Sequence, residues 1–347
     1  MTFPAPHSFA FGLATKNSSG EIIEAFYPQP VLSPDLKLVG IIASIVKRPD
    51  RENMAVEVSN SSLLKLIPQL EGAGFSEQAK LVKSISIGQN SIISCIIFED
   101  NEPQSVAEVF LKLHLLSHRL ALPNSLNLEG AFAILHNLAW TNEGPIEVDE
   151  LADRQLKSRL AGKLLEVMSV DKFPKMTNYV VPPGVRIAHT ARVRLGAYIG
   201  DGTTVMHEGF VNFNAGSAGA AMIEGRISAS VMVGKGSDLG GGCSIMGTLS
   251  GGGTEVITVG ENCLIGANAG IGFPIGDRCI IEAGLYVTAG TKVNVIAPNR
   301  SLLKTVKARE LSNESDLLFR RNSLTGAVEC IPNKTKISLN EDLHTNN

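Results

Sequence analysis

Between Ile187 and Val293 an aliphatic residue recurs at every sixth position in four runs. The run Ile187, Val193, Ile199, Val205, Val211 is followed by Ile227, Val233, Leu239, Ile245, then by Val259, Ile265, Ile271, and finally by Ile275, Ile281, Val287, Val293. A period of six matches neither the roughly 3.6 residues of a helix nor the alternation of a lone strand, so each short strand must end in a sharp turn. Three such steps make one coil and stack each aliphatic residue on the one eighteen positions earlier, which gives a continuous apolar interior. Gly-Asp-Gly 200–202 and Gly-Lys-Gly 234–236 supply small residues for the corners. The expected fold of this part is a parallel β-helix of the hexapeptide-repeat kind. Its expected hand is left, an exception to the right-handed crossover.

The period breaks over residues 212–226 and 246–258. Both stretches are rich in glycine and other small residues, and a loop inserted into a regular coil is where function tends to sit. Both are therefore expected to be inserted loops that let a ligand approach the backbone closely.

Before the repeat the pattern is mixed. Strand-like runs lie at Phe9–Ala14, Ile22–Tyr27, Leu38–Val46 and Ser91–Glu99, and helical patterns lie near Ser61–Leu70, Ser105–Leu120 and Val148–Val170. Pro174, Pro182 and Pro183 mark a boundary. The organisation reads as an N-terminal α/β domain over 1–175, the β-helix over 176–299 and a C-terminal extension over 300–347, basic between Lys307 and Val328 and polar at its end.

Charge and cysteines narrow the function classes. Thirty-one basic against 34 acidic residues give a formal net charge of −3, so no global field recruits nucleic acid or an anionic membrane. Cys95, Cys243, Cys263, Cys279 and Cys330 are odd in number with no CxxC pair, which argues against a disulfide framework and a zinc knuckle. MTFPAPHSFAFGLATK has neither a basic nor an apolar signal region, and no apolar run reaches the length of a membrane span. The expected location is the cytoplasm.

Four strings carry a resemblance: MHEGFVNFNAGSAGAAMIEGRIS, SDLGGGCSIMGTLSGGG, IEAGLYVTAGTKV and LLFRRNSLTGAVE. They resemble those of the tetrahydrodipicolinate N-succinyltransferases, in the branch with a large N-terminal domain, closely over 176–330 and less so before. The resemblance implies transfer of a succinyl group from succinyl-CoA to the nitrogen of tetrahydrodipicolinate in lysine and diaminopimelate synthesis. It implies a homotrimer, and stacking three such coils about an axis places the active sites between subunits. By matching strings it makes Glu224 the catalytic carboxylate, described for the family as forming an acyl anhydride. The residue chemistry fits a nucleophile on the thioester or a general base toward the acceptor amine, and leaves both open. The resemblance further places Arg226, Gly241, Ser244, Ala267, Glu282, Ala283, Gly290, Lys307 and the run Arg320, Arg321, Asn322, Ser323 around succinyl-CoA. CoA carries three phosphate groups, and guanidinium forks beside a lysine suit them. Backbone amides beside Gly241 and Gly247 fit an oxyanion hole.

Metal binding has two candidate signals. His189 and His207 are eighteen residues apart, hence one coil apart, but His7, His114, His118, His136 and His344 lie outside the repeat and a three-histidine zinc site lacks its third member. The resemblance makes Glu208 a magnesium ligand near the threefold axis, although the matching companion position holds Ala191 in place of an aspartate. Two other functions compete. Another CoA-dependent O- or N-acetyltransferase would use a histidine such as His207 as base, and a non-catalytic scaffold would show an unbroken repeat. A nucleotidyltransferase is disfavoured because the first 180 residues hold no glycine-rich phosphate loop.

Overall fold

The computed structural model describes residues 5–45, 52–88, 90–247 and 255–333. They form two compact units, drawn from Met1–Ala121 with Ser125–Pro174 and from Leu122–Asn124 with Lys175–Asn347. The described part of the expected extension, 300–333, therefore belongs with the repeat.

The first unit is α/β. Strands run in the order Ile22–Phe26, Ser8–Lys16, Ser91–Ile97, Met54–Glu57, all antiparallel, with Val31–Leu32 also paired to Ser8–Lys16. One face packs Phe9, Phe11, Ile92 and Ile96 against Leu38, Ile42, Leu63, Leu66, Leu70, Val82 and Ile85. The expected strand at Leu38–Val46 is instead a helix, Leu36–Ala43. Its apolar residues suit a strand, but Asp35 caps it by accepting from the Lys37 N–H (2.7 Å), and Leu38, Val39 and Ile42 form the one-sided stripe of a helix. Val46 itself lies outside the described residues. The pattern near Ser61–Leu70 divides into two helices, Asn60–Leu64 and Ile67–Gly72.

Helix Val106–Ser117 is buried along its whole length, including Glu108, Lys112 and His114. Burial on this scale requires partners. The Lys112 ammonium donates to the carbonyls of Asn101 (2.5 Å) and Asn127 (2.6 Å) and pairs with Asp100 (2.7 Å). The Tyr27 N–H donates to His114 Nε2 (3.2 Å), and burial pushes that imidazole down to about 3, so it is neutral.

The long helix expected over Val148–Val170 stops at Leu160, where Gly162 turns left-handed (φ 70°). Val167–Asp171 is a strand, joined to Leu138–Thr141 and Gly144–Glu147 in an antiparallel sheet that the sequence reading missed. Among the described residues no helix is long and apolar enough to cross a membrane.

In the second unit the chain visits three parallel ladders in rotation. The first holds Ala197–Ile199, Ala215–Ser217, Met232–Val233 and Thr258–Val259. The second holds Arg186–Ile187, Thr203–Val205, Ala221–Ile223, Asp238–Leu239, Leu264–Ile265 and Ile280–Ile281. The third holds Phe210–Val211, Arg226–Ile227, Ser244–Ile245, Gly270–Gly272 and Tyr286–Thr288. Of the sixteen periodic residues, fifteen are at most 2 % exposed, and Ile187, at the first strand, is half-buried.

The coils are not all eighteen residues long. Ala197 pairs with Ala215, eighteen on, whereas Gly216 pairs with Met232, sixteen on, and Met232 with Thr258, twenty-six on. The first expected interruption, 212–226, is therefore not an insertion. Ser217 and Ile223 continue the period of six inside it, both buried, and the phase slips only at a four-residue step from Ile223 to Ile227. Ser217 escapes a search for aliphatic residues because it is polar; its hydroxyl is satisfied by Thr203 Oγ1 (2.7 Å). The second interruption is an insertion, of which 248–254 lie outside the described residues.

The C-terminal segment is ordered as strands Lys292–Ile296, Leu302–Lys307, Leu317–Arg321 and Val328–Pro332, which extend the second ladder past Ile280–Ile281. All five cysteines are buried free thiols.

Candidate active site

The corner between the second and third ladders recurs coil by coil, and it carries His207 and Glu208, then Glu224, then Gly241, then Ala267, then Glu282 and Ala283. Residues from His207 to Ala283, far apart in sequence, thus form one column. Backbone bonds link its members: Glu224 N–H donates to Leu239 O (2.9 Å), Gly242 N–H to Glu224 O (3.3 Å), Asn268 N–H to Gly241 O (2.9 Å) and Gly284 N–H to Ala267 O (2.8 Å).

Glu224 sits within the four-residue step, the tightest of these corners. Its neighbour Gly225 must lack a side chain, because a Cβ there would overlap the Cys243 Sγ. The Glu224 side chain is half-buried, and it forms no ion pair with Arg226. Arg226 opens the next strand and stands in register with Ser244, so these two lie one coil apart beside the carboxylate. Cys243 is a nucleophile by type but not in this setting: burial, then Asp238, push its thiol up to about 12 and keep it protonated. Gly247 lies at the other end of strand Ser244–Ile245, against Ser228 and Ala229, and is not brought to Glu224 with Gly241.

Strand Leu317–Arg321 adds the next rung of the same ladder, with Ile280 opposite Leu318 and Ile281 opposite Phe319. Arg320 and Arg321 consequently follow Glu282 and Ala283 in the column, and the Arg321 N–H donates to Glu282 Oε2 (2.7 Å). They do not act as a pair, since successive residues of a strand face opposite sides. The Arg320 fork binds Glu329 Oε2 through Nε (3.0 Å) and Nη2 (2.9 Å), and Asn322 Nδ2 donates to Glu329 Oε1 (2.7 Å). Those contacts, Asn322 foremost, hold the buried Glu329 carboxyl below its usual range against the opposing effect of desolvation. Asn322 Oδ1 also accepts from Leu324 and Thr325 N–H, closing the turn that exposes Ser323. Gly290 and Lys307 sit apart from the column, near each other at the following turn, where Ala308 N–H donates to Thr291 O (2.9 Å).

Glu208 is exposed, with the Arg192 guanidinium 3.8 Å from its carboxylate. His189 and His207 are also exposed at this corner. Among the described residues no three of His, Cys, Asp and Glu converge on a point. Within one chain Glu208 supplies a single carboxylate, short of the oxygen octahedron that magnesium takes.

The parallel ladders have hexapeptide period, and a model described as the hexapeptide repeat of succinyl-transferase matches residues 256–289, which together mark a β-helix-like acyltransferase. Models described as the N-terminal and middle parts of tetrahydrodipicolinate N-succinyltransferase match 75–133 and 135–175. Curated 2,3,4,5-tetrahydropyridine-2,6-dicarboxylate N-succinyltransferases from Pseudomonas putida and Vibrio cholerae are 58 % and 55 % identical, covering 98 % of this chain and 98 % and 99 % of their own. A crystal structure from Campylobacter jejuni, described as a putative 2,3,4,5-tetrahydropyridine-2-carboxylate N-succinyltransferase, has a TM-score of 0.88 at 32 % identity, covering 96 % of this chain and 94 % of its own. The chain belongs to the tetrahydrodipicolinate N-succinyltransferase family. The likeness extends through the N-terminal unit, further than the four strings alone indicated.

Proposed function

We propose that this chain transfers the succinyl group of succinyl-CoA to the nitrogen of tetrahydrodipicolinate, with one water adding across the ring C=N bond as the ring opens, giving N-succinyl-2-amino-6-oxopimelate and CoA. One observation carries the reading: in a chain of this family, Glu224 stands half-buried at the tightest corner of the column, with a glycine on either side in space. Two routes use that carboxylate. In one, a Glu224 oxygen attacks the thioester carbonyl, the C–S bond breaks, CoA leaves, and the acceptor nitrogen then attacks the anhydride and returns the carboxylate. In the other, water first adds across the ring C=N bond, the resulting N–H nitrogen attacks the thioester carbonyl directly, Glu224 takes its proton, and CoA leaves as the C–S bond breaks. In both, open backbone at Gly241 and Ala267 leaves room for the acyl arm, and Arg321 and Lys307 supply cations toward the nucleotide phosphates.

The coil is read as left-handed on its hexapeptide sequence. The chain is read as a cytoplasmic homotrimer whose corner columns meet a neighbouring copy to complete each site. The test is CoA release, followed with a thiol reagent, in the presence of tetrahydrodipicolinate and either succinyl-CoA or acetyl-CoA. Release that needs tetrahydrodipicolinate and prefers succinyl-CoA is expected. Preference for acetyl-CoA, or release indifferent to tetrahydrodipicolinate, would instead favour a different CoA-dependent acyltransferase.

A further inference from the structure

Helix Leu151–Leu160 has almost nothing beneath it. Ser158 is its one buried residue, and Leu156 and Leu160, one turn apart, are 60 % and 80 % exposed. A helix of ten residues is marginal in water on its own, and helices in proteins draw their stability from a packed apolar face. Exposed polar contacts do not replace that face: Glu150 accepts from the Ser18 N–H (3.0 Å), and the Arg154 guanidinium lies 3.5 Å from the Glu143 carboxylate. Beyond the helix Leu164 is exposed, while Leu165 is buried and lines a shallow groove with Leu156 and Arg159.

The strand that follows is equally bare. Val167–Asp171 is an outer strand of its three-stranded sheet, paired among the described residues with Leu138–Thr141 alone. Val167, Met168, Ser169 and Val170 are all exposed, and because successive residues of a strand face opposite sides, neither face of it is covered. An open apolar edge is a template for pairing, which soluble proteins normally blunt or cover. Leu156, Leu160, Leu164, Val167, Met168 and Val170, at roughly 60 Å² or more of apolar area apiece, offer nearly half of the about 800 Å² that each partner gives to a standard interface.

We propose that the arm formed by residues 151–170 is covered by a second copy of this chain. Its charge fits that occupant. Asp149, Glu150 and Asp153 crowd the N-terminal end of the helix, and Lys157, Arg159 and Lys163 its C-terminal end. A partner of one sign, such as nucleic acid or an anionic membrane, cannot match both ends. The same surface laid antiparallel sets each end against the opposite charge of its counterpart, with the leucines between. The helix also needs its cover whenever the chain is folded, which a copy of the chain supplies and a transient partner does not. The trimer reading places copies against the corner columns of the second unit, and the arm adds a contact made by the first.

Light scattering and amide hydrogen exchange on wild type and the double variant Leu156→Glu/Leu160→Glu test this. Both leucines are exposed within one chain, so the change spares that chain's own core. The variant should form a smaller assembly than wild type, and its amides over 151–160 should exchange at least about tenfold faster, since the helix has lost its cover. Amides of the buried helix Val106–Ser117 should stay protected in both, which separates lost docking from lost folding. Diluting wild type until it dissociates should expose the same 151–160 amides with no substitution at all. A variant of wild-type mass, or protection over 151–160 that survives in the single chain, would overturn the proposal. If that shared mass is three chains, the trimer stands without the arm. A wild type of two chains and a variant of one would support the arm and contradict the threefold reading, and a monomeric wild type would overturn both.

Discussion

Gly241 stands beside the Glu224 carboxylate, with its Cα so placed that a Cβ would lie 3.6 Å from Glu224 Oε2. That is ordinary van der Waals contact, and Gly241 does not need left-handed backbone. Its neighbour Gly240 differs: a Cβ there would lie 2.7 Å from Ala267 N and 2.9 Å from Ile265 O, backbone atoms that cannot yield. Gly240→Ala should therefore lose about 1–3 kcal/mol of stability, as overpacking does. Gly241→Ala should keep its melting temperature and lose at least about tenfold in turnover, because a methyl group displaces the reacting carbonyl. Thermal melts beside steady-state rates check both.

Arg320 and Arg321 should separate under mutation. Arg320→Ala removes the partner of a buried carboxylate and should lower stability by about 1 kcal/mol, the upper scale for a partly exposed pair. Arg321→Ala should leave the melting temperature in place and weaken succinyl-CoA binding. The folded-state pKa of Glu329 is lowered, so its contribution is present above the unfolded carboxylate pKa and is lost as pH falls through the folded value. Urea unfolding of wild type and Glu329→Gln at successive pH values below about 5 should show the smaller loss of stability in the variant.

His114 gives a second pH signature. Burial lowers its pKa to about 3, so the folded state holds it neutral while the unfolded chain protonates it near pH 6.5. Stability contributed by the neutral ring is complete above about pH 6.5 and declines as pH falls toward the folded value. Proton NMR should show the His114 imidazole still neutral at pH 5, whereas a ring that titrates near 6.5 would contradict its burial.

The repeat was legible because an inward aliphatic residue every six positions leaves a mark that nothing else imitates. Ser217 hid one rung by being polar, and the step from Ile223 to Ile227 hid the phase slip, so a stretch of regular coil resembled a loop. The column itself was not legible, since it joins residues from Glu224 to Arg321 that only the ladder register brings to one corner. In the first unit, LVGIIA favours a strand by composition, and the Asp35 cap with its stripe of buried residues decided for a helix. The hairpin at Leu138–Thr141 and Gly144–Glu147 left one usable signal, Gly144 in a left-handed turn (φ 102°) between apolar runs. Glu329 left none, because its role depends on partners across strands.

The most direct test of the central claim is turnover of Glu224→Gln, which keeps shape and polarity but can neither carry the acyl group nor accept the proton. Turnover should fall by at least about 10²-fold, with CoA affinity and melting temperature near wild type. Incubating wild type with succinyl-CoA and no acceptor then separates the two routes: CoA release stoichiometric with sites and hydroxylamine-sensitive label on Glu224 mark the anhydride, and no label marks the general base. A Glu224→Gln enzyme within about threefold of wild-type turnover, far short of the loss expected for a positioned proton-transfer group, would contradict both roles.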